Sequence, residues 1–393
     1  MRDKLEFQAD RIETVLSIHK VKARVTGGTV TPRWIRFQVL PALGAKISRI
    51  KRLNEELAAA LDAPNCRISR RGAAVSLEVP RDDPEPVRLL PLYRQLHQNE
   101  EREMPPATAV LGLSEEGAPL LIRLPSPDVA HILVAGTTGS GKTALLQTMI
   151  LSLAMANPAA SPYPQPGSRG LLLVLIDPKG SAFGLFEGLP HLARPVISET
   201  EEALEALNSL VRLMEKRDLS AAQGIRSRGR VSSERPSRVV VFIDEMADLL
   251  MTGGNEIESA MTRLTQRGRE AGIHIVAATQ KPTTSVLGSL VKANFPVRLA
   301  GRVTSASDAR TATGWSGTGA ERLLGRGDFV AVAEGRVIRF QAAYVSVTEI
   351  QEIVERMTSG QGSREGATSS PPSLPWPVQK INSVIQGGTK DDV

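Results

Sequence analysis

Eight consecutive residues, Gly136-Thr137-Thr138-Gly139-Ser140-Gly141-Lys142-Thr143, fill every place of the pattern G-x-x-x-x-G-K-[ST]. Glycine lets backbone N–H groups turn inward around a phosphate without a clashing Cβ. A helix that follows such a turn offers its positive N-terminal end to the same anion. Lys142 can then reach the β- and γ-phosphates of a nucleotide, and the Thr143 hydroxyl can ligate Mg²⁺. The context separates this turn from a mere helix cap. Residues 131–135 form an apolar run before it, and 144–154 continue as an apolar helix after it. The stretch is therefore expected to bind a nucleotide with Mg²⁺.

A second group of side chains has the chemistry to act on a bound nucleotide. Residues 239–243 are an apolar strand tipped by Asp244 and Glu245. Asp244 can hold Mg²⁺ through its water shell, and Glu245 can polarise the attacking water as general base. An acidic strand tip alone is common. About 100 residues after a complete phosphate-binding loop, with another strand and helix between, it becomes specific. Glu245 is also what distinguishes a hydrolase from a mere nucleotide binder. Gln280 ends the next apolar strand, Ile273–Thr279, where an amide can reach the γ-phosphate and sense its loss. Arg310, Arg298 and Arg269 are candidates for an arginine finger that stabilises charge in the transition state, often from a neighbouring subunit. Spacing alone does not choose among them.

The elements that must position these groups alternate between strands and helices from residue 131 onward. That order predicts an α/β fold with a parallel central sheet and helices on both faces. Helix Lys142–Ala156, strand Leu171–Ile176 ending in Asp177-Pro178-Lys179, a helix over 201–217, a polar loop over 218–237 and a helix over 255–271 are expected in turn. Strands over 297–302 and 328–332, a partner strand Arg336–Ala342 and a last helix over 348–357 follow. Upstream the period is two. Residues 20–25 and 35–39 alternate around Thr26-Gly27-Gly28-Thr29, which predicts a hairpin. Ile47, Ile50, Leu53, Leu57 and Leu61 then recur at helical spacing, and 67–80 returns to strand. Residues 17–80 thus form a small α+β domain behind a helical segment, 1–16. Prolines mark a linker at 81–107, the α/β domain occupies 108–358, and the Ser/Gly/Pro-rich tail at 359–393 is expected to be disordered.

Bulk properties narrow the partners. The net charge is +6, but residues 17–73 hold 12 Lys and Arg against 3 Asp and Glu, so the rest of the chain is net negative. Such asymmetry favours a surface facing nucleic acid. One cysteine, Cys66, excludes a disulfide framework and suits a reducing cytosol. The charged start is no signal peptide, and no apolar run approaches a membrane span.

Motifs beyond the phosphate loop carry a family resemblance. The stretch His131 to Thr143, Ile176-Asp177-Pro178-Lys179, Phe242-Ile243-Asp244-Glu245-Met246-Ala247-Asp248-Leu249, Ala278-Thr279-Gln280-Lys281-Pro282 and Leu323-Leu324-Gly325-Arg326-Gly327-Asp328 resemble the FtsK/SpoIIIE DNA translocases in order and spacing over about residues 17 to 345. The resemblance implies that the basic block is the family's α domain and that 108–345 is its RecA-like P-loop domain. It implies a homo-hexameric ring around double-stranded DNA, driven by ATP. Lys142 and Thr143 match the Walker A pair, Asp244 and Glu245 the Walker B pair, Gln280 the sensor, and Arg310 an arginine close to the subunit interface. Topology within the family places pore-facing loops at 281–292 and 316–326, with Lys281, Lys292, Arg322 and Arg326 as DNA contacts. Lys281 stands where the family usually has Arg. The family's membrane-spanning and winged-helix parts find no match, which implies a cytoplasmic motor without sequence guidance.

Two competing readings are a protein-export motor, with the tail docking a partner through residues 374–378, and an ATP-gated DNA clamp that binds without moving. The basic block opposes the first, and Glu245 opposes the second.

Overall fold

In the computed structural model, which describes residues 2–97, 104–160, 170–226, 237–280, 282 and 294–359, the chain divides into two units, 1–86 and 87–393. The first contains helix α1 (Arg2–Ile18), strands β1 (Ala23–Val30) and β2 (Trp34–Pro41), helices α2 (Ile47–Arg52) and α3 (Asn54–Ala60), and strands β3 (Arg67–Arg71) and β4 (Ala74–Pro80). The strands form an antiparallel sheet in the order β1-β2-β4-β3. Period-two alternation puts Phe37 and Val39 of β2 into one core with Leu77 of β4, Leu16 of α1, Ile50 and Leu57. Each of these side chains is at most 2% exposed, and each contributes about 1.5–3 kcal/mol by leaving water. Arg36 and Glu78 pair at 2.9 Å across β2 and β4 with 12% and 4% of their side chains exposed.

Two details differ from the sequence expectation. The Gly27-Gly28 pair is not the hairpin turn. It lies inside β1, where the register slips between Val25 and Gly27, and the chain turns instead at residues 31–34. There Pro32 presets its own φ, and Thr31 exchanges hydrogen bonds with Trp34. The expected single helix over 47–61 is interrupted at Leu53, whose buried side chain is kept in the core while the backbone leaves helical geometry.

The second unit contains α4 (Leu89–His97), β5 (Thr108–Ser114), β6 (Pro119–Arg123), β7 (Ile132–Ala135), α5 (Lys142–Ala156), β8 (Leu171–Ile176), α6 (Thr200–Arg226), β9 (Arg238–Ile243), α7 (Met246–Arg267), β10 (Ile273–Thr279), β11 (Val297–Ala300), α8 (Ala306–Thr313), β12 (Asp328–Ala333), β13 (Arg336–Ala342) and α9 (Val347–Thr358). One nine-stranded sheet runs in the order β6-β5-β13-β12-β11-β7-β10-β9-β8. Strands β11, β7, β10, β9 and β8 are parallel, as the alternation predicts, and the other pairings are antiparallel. Both faces of the parallel part are covered. Ile132 and Val134 of β7 join a core with α4, α5 and α9, while Leu133 joins a second core with α6 and α7. Central parallel strands buried on both faces read as continuous apolar runs, which is why β8 and β9 were visible in the sequence.

Three elements exceed their expected bounds. Val87, Leu89 and Leu92, from the stretch read as a linker, lie in the core of the second unit. Helix α6 continues to Arg226, through residues expected to be a loop. Arg217, at the end of the expected helix, donates to the carbonyls of Ala271 at 2.6 Å and Ser237 at 2.9 Å, and Asp218, where the extension starts, pairs with Arg267 of α7 at 2.6 Å. Helix α7 begins directly after Glu245 and kinks at Gly254 (φ 53°, ψ −144°), so the Gly253-Gly254 pair that hid its first turns bends the helix instead of preceding it. No helix among the described residues is long and apolar enough to cross a membrane. Lys281, Lys292 and the tail from residue 360 lie outside the described residues.

Candidate active site

Parallel strands deliver their C-terminal ends to one edge of the sheet, and helices start there. Strand β7 ends at Ala135 and the chain enters the glycine loop at Gly136 (φ 155°). The loop is held from three sides. Gly136 N–H donates to Thr279 at the end of β10. Thr137 donates to the carbonyl of Arg302, just past β11, through its N–H at 2.9 Å and its hydroxyl at 3.0 Å. Arg326 and Gly327 donate their N–H groups to the carbonyls of Gly139 at 2.9 Å and Ser140 at 2.8 Å. A Cβ on Gly141 (φ 102°) would come within 2.7 Å of the Gly327 nitrogen, so Gly141 must be glycine for the two backbones to approach this closely. Helix α5 starts at Lys142 with its first N–H groups pointing into the loop.

The reactive side chains converge there. The buried Lys142 ammonium donates to the carbonyls of Gly136 at 2.8 Å and Thr137 at 3.2 Å. The Thr143 hydroxyl lies 3.5 Å from Asp244 Oδ1. Glu245 is 2% exposed and accepts the Gln280 N–H at 3.1 Å on both oxygens. The Gln280 side chain accepts from Thr138 Oγ1 at 2.8 Å, which links the end of β10 to the glycine loop. Lys179, on the loop after β8, lies 3.6 Å from Glu245 and 3.0 Å from Asp248.

Burial pushes the Asp244 carboxyl up, and the neighbouring Asp177 and Glu245 push it further, against the opposing pull of Lys142 and Lys179. Burial pushes the Lys142 ammonium down, while Glu245 and Asp244 work the other way. Both groups are thus strained by desolvation in a way that ligands of opposite charge relieve. A triphosphate supplies anions to Lys142, and a divalent cation supplies charge to Asp244. Thr143 and Asp244 are hard oxygen donors on facing elements, the kind Mg²⁺ takes together with phosphate and water oxygens. Asp177 Oδ1 is a further buried oxygen without a hydrogen-bond partner among the described residues. The donor set therefore fits ATP and Mg²⁺.

The structure thus brings Gly136–Thr143, Asp244, Glu245 and Gln280 to one place. The arginines are elsewhere. Arg310 is exposed on α8 and makes no ion pair among the described residues. Arg298 is partly buried beneath the C-terminal end of α8, where a Cβ on Gly314 would meet its Nη1 at 2.7 Å. Burial lowers its pKa, and its Nε donates to Phe295, so it braces that corner. Arg269 is exposed and donates to the Pro127 carbonyl at 3.4 Å. Arg322 is exposed beside Glu321. Arg326 has an exposed side chain, but its backbone belongs to the clasp on the glycine loop. Sequence reasoning assigned no role to Lys179, Arg302 or Gly327. The available signals were the Asp-Pro-Lys end of a buried strand and the paired glycines of Leu324-Gly325-Arg326-Gly327-Asp328.

Comparisons with known proteins match both units. The FtsK alpha domain model matches residues 1–81, and the FtsK/SpoIIIE family model matches residues 92–233 and 223–284. The DNA translocase FtsK of Bacillus anthracis is 33% identical over 398 residues, covering 96% of this chain and 48% of that protein. DNA translocase SpoIIIE of Bacillus subtilis is 33% identical over 373 residues, covering 90% of this chain and 45% of that protein. The chain spans about half the length of these relatives. Among solved structures, the pCW3 conjugation coupling protein TcpA, in a monomer form with ATPγS, covers 90% of this chain and 99% of its own at a TM-score of 0.60 and 22% identity. The cytoplasmic domain of the Type VII secretion ATPase EccC of Thermomonospora curvata covers 70% of this chain and 33% of its own at a TM-score of 0.52 and 24% identity. These two likenesses speak to the fold: a P-loop ATPase sheet. Together with the glycine loop, the acidic tip of β9 and the small sheet of the first unit, the relatives place the chain in the FtsK/SpoIIIE family.

Proposed function

We propose that this chain is an ATP-driven motor that moves along double-stranded DNA as a cytoplasmic ring of six copies, in chromosome segregation or DNA transfer. One observation carries the hydrolytic part: the Thr143 hydroxyl stands 3.5 Å from Asp244, with Glu245 next in the chain and its carboxylate bonded to Gln280. Family membership and the basic first unit support DNA as the track. Lys46, Arg49, Lys51 and Arg52 of that unit are all exposed. The likeness to a secretion ATPase is one of fold and does not favour protein export.

Each residue has a defined task in this reading. Lys142 and the N–H groups at the start of α5 bind and orient the β- and γ-phosphates. Thr143 and Asp244 hold Mg²⁺, which neutralises phosphate charge when bound. Glu245 accepts a proton from the attacking water. Gln280 lies between the base and the glycine loop and reports loss of the γ-phosphate. Arg310, exposed on α8, serves the nucleotide of the adjoining subunit as arginine finger. Arg322 and Arg326, together with Lys281 and Lys292, contact DNA phosphates, so binding is largely sequence-independent and falls steeply with salt.

The test is ATP turnover with and without long duplex DNA, together with displacement of a triplex-forming strand. DNA-stimulated turnover that Lys142→Ala abolishes is the expected result. Turnover indifferent to DNA overturns the motor reading, and stimulated turnover without displacement leaves a clamp.

A further inference from the structure

A general base needs a lone pair facing the water it activates. Glu245 is held on one side: its two oxygens share the Gln280 N–H at 3.1 Å, and Oε2 lies at ion-pair distance, 3.6 Å, from the Lys179 ammonium. A well-fixed loop delivers Lys179. The fully buried Asp177 accepts the N–H groups of Ala182 at 2.7 Å and Phe183 at 3.0 Å. Pro178 fixes its own φ, and Gly180 turns the chain at φ 65° with its N–H on the Asp177 carbonyl. Lys179 also reaches Asp248 at 3.0 Å, three residues past Glu245 in the first turn of α7. One ammonium therefore stands between two carboxylates of the same turn. Glu245 has 2% of its side chain exposed and Asp248 has 36%.

We propose that Lys179 is a positioning residue that holds Glu245 back while sharing its ammonium with Asp248, and that bound ATP shifts it only partly toward Asp248. The inference rests on Glu245 being the base of the proposed reaction. Two contacts make the restraint responsive to nucleotide. The Gln280 amide that donates to Glu245 belongs to the residue whose side chain is bonded to Thr138, so phosphate binding in the glycine loop bears on both. A γ-phosphate also adds negative charge to the site where Lys142 and Lys179 act on each other, and so competes with Glu245 for the Lys179 ammonium. Loss of the ammonium frees Glu245 to turn toward the attacking water.

The test compares Lys179→Met, Lys179→Arg and Asp248→Asn in ATP turnover without DNA. Lys179→Met raises basal turnover about 2- to 5-fold, the factor a half-exposed ion pair is worth, with KM for ATP nearly unchanged. Lys179→Arg stays near the parent. Asp248→Asn falls below the parent, because the ammonium then has Glu245 as its sole carboxylate of the pair. Turnover of Lys179→Met at or below the parent, with ATP still bound, overturns the restraint. A double-mutant cycle of Lys179→Met and Glu245→Gln in urea unfolding of the nucleotide-free protein tests the contact independently of hydrolysis. Additive effects overturn it. If the parent hydrolyses no ATP the proposed function fails, while the cycle still decides the Lys179–Glu245 contact.

Discussion

Acidification to pH 5 is expected to weaken the second unit through two buried rings. His131 and His274 stand at the starts of β7 and β10, the strands that carry the glycine loop and Gln280 at their other ends. They are 1% and 0% exposed. Burial pushes His131 down to about 3, with His274 adding to the effect. Burial likewise pushes His274 down to about 4, with Arg238 and Arg269 adding to it and the Ala130 carbonyl opposing. A histidine in the unfolded chain titrates near 6.5, so at pH 5 the unfolded state binds a proton at each ring that the folded state refuses. Stability therefore rises with pH over this window and falls on acidification. Between pH 7 and 5 each ring costs about 2 kcal/mol, about 4 kcal/mol for the pair. Hydrogen bonds also set the tautomers. The Ile275 N–H donates to His131 Nδ1 at 3.1 Å, so that nitrogen is bare. The Ala130 carbonyl can only accept, so His274 Nδ1 at 3.0 Å carries its hydrogen. NMR of protein labelled with ¹⁵N-histidine should show two rings of opposite tautomer that stay neutral to pH 5, and urea unfolding should show the stability loss. Either ring titrating between pH 6 and 7, or both sharing one tautomer, refutes the reasoning.

Three further outcomes follow from named contacts. Glu245→Gln should keep ATP affinity and lose turnover by about 10²- to 10⁴-fold, measured by nucleotide titration and phosphate release. Gly141→Ala forces an L side chain to φ 102° and against the Gly327 nitrogen at 2.7 Å, and should cost about 1–3 kcal/mol in denaturant unfolding along with most nucleotide affinity. Arg36→Ala leaves Glu78, with 4% of its side chain exposed, without its ion-pair partner, and should destabilise the first unit by about 3–5 kcal/mol in thermal unfolding.

What could be read in advance was what is encoded locally. The glycine loop declares itself because each residue type is required within eight positions, and β8 and β9 because strands buried on both faces admit few polar residues. Asp244, Glu245 and Gln280 could be placed since strand ends are visible as changes from apolar to polar. Contacts between distant segments left weaker traces. Lys179 sits 66 residues before Glu245 in sequence, and nothing in the spacing says that loops after two strands will touch. The Gly27-Gly28 pair looks like a turn because glycine serves turns and bulges equally, and only the pairing register separates them. The start of α7 was hidden because Gly253 and Gly254 lower helix propensity, while burial of Met246, Ala247 and Leu249 overrides it.

The clasp of Arg326 and Gly327 on Gly139 and Ser140 also bears on the order in which the protein matures. The glycine loop is made well before residues 326 and 327, yet two of its carbonyls are engaged by their N–H groups. Strand β11, which pairs with β7, and the β12–β13 hairpin must dock before that loop has its final form. Closing so long a span is slow. A nascent chain that has β7 and α5 but lacks residue 327 therefore presents an unfinished nucleotide site, and ATP can act as a folding ligand only at the last stage of assembly. Chains cut short before β12 are expected to bind nucleotide poorly, although every residue of the glycine loop is present.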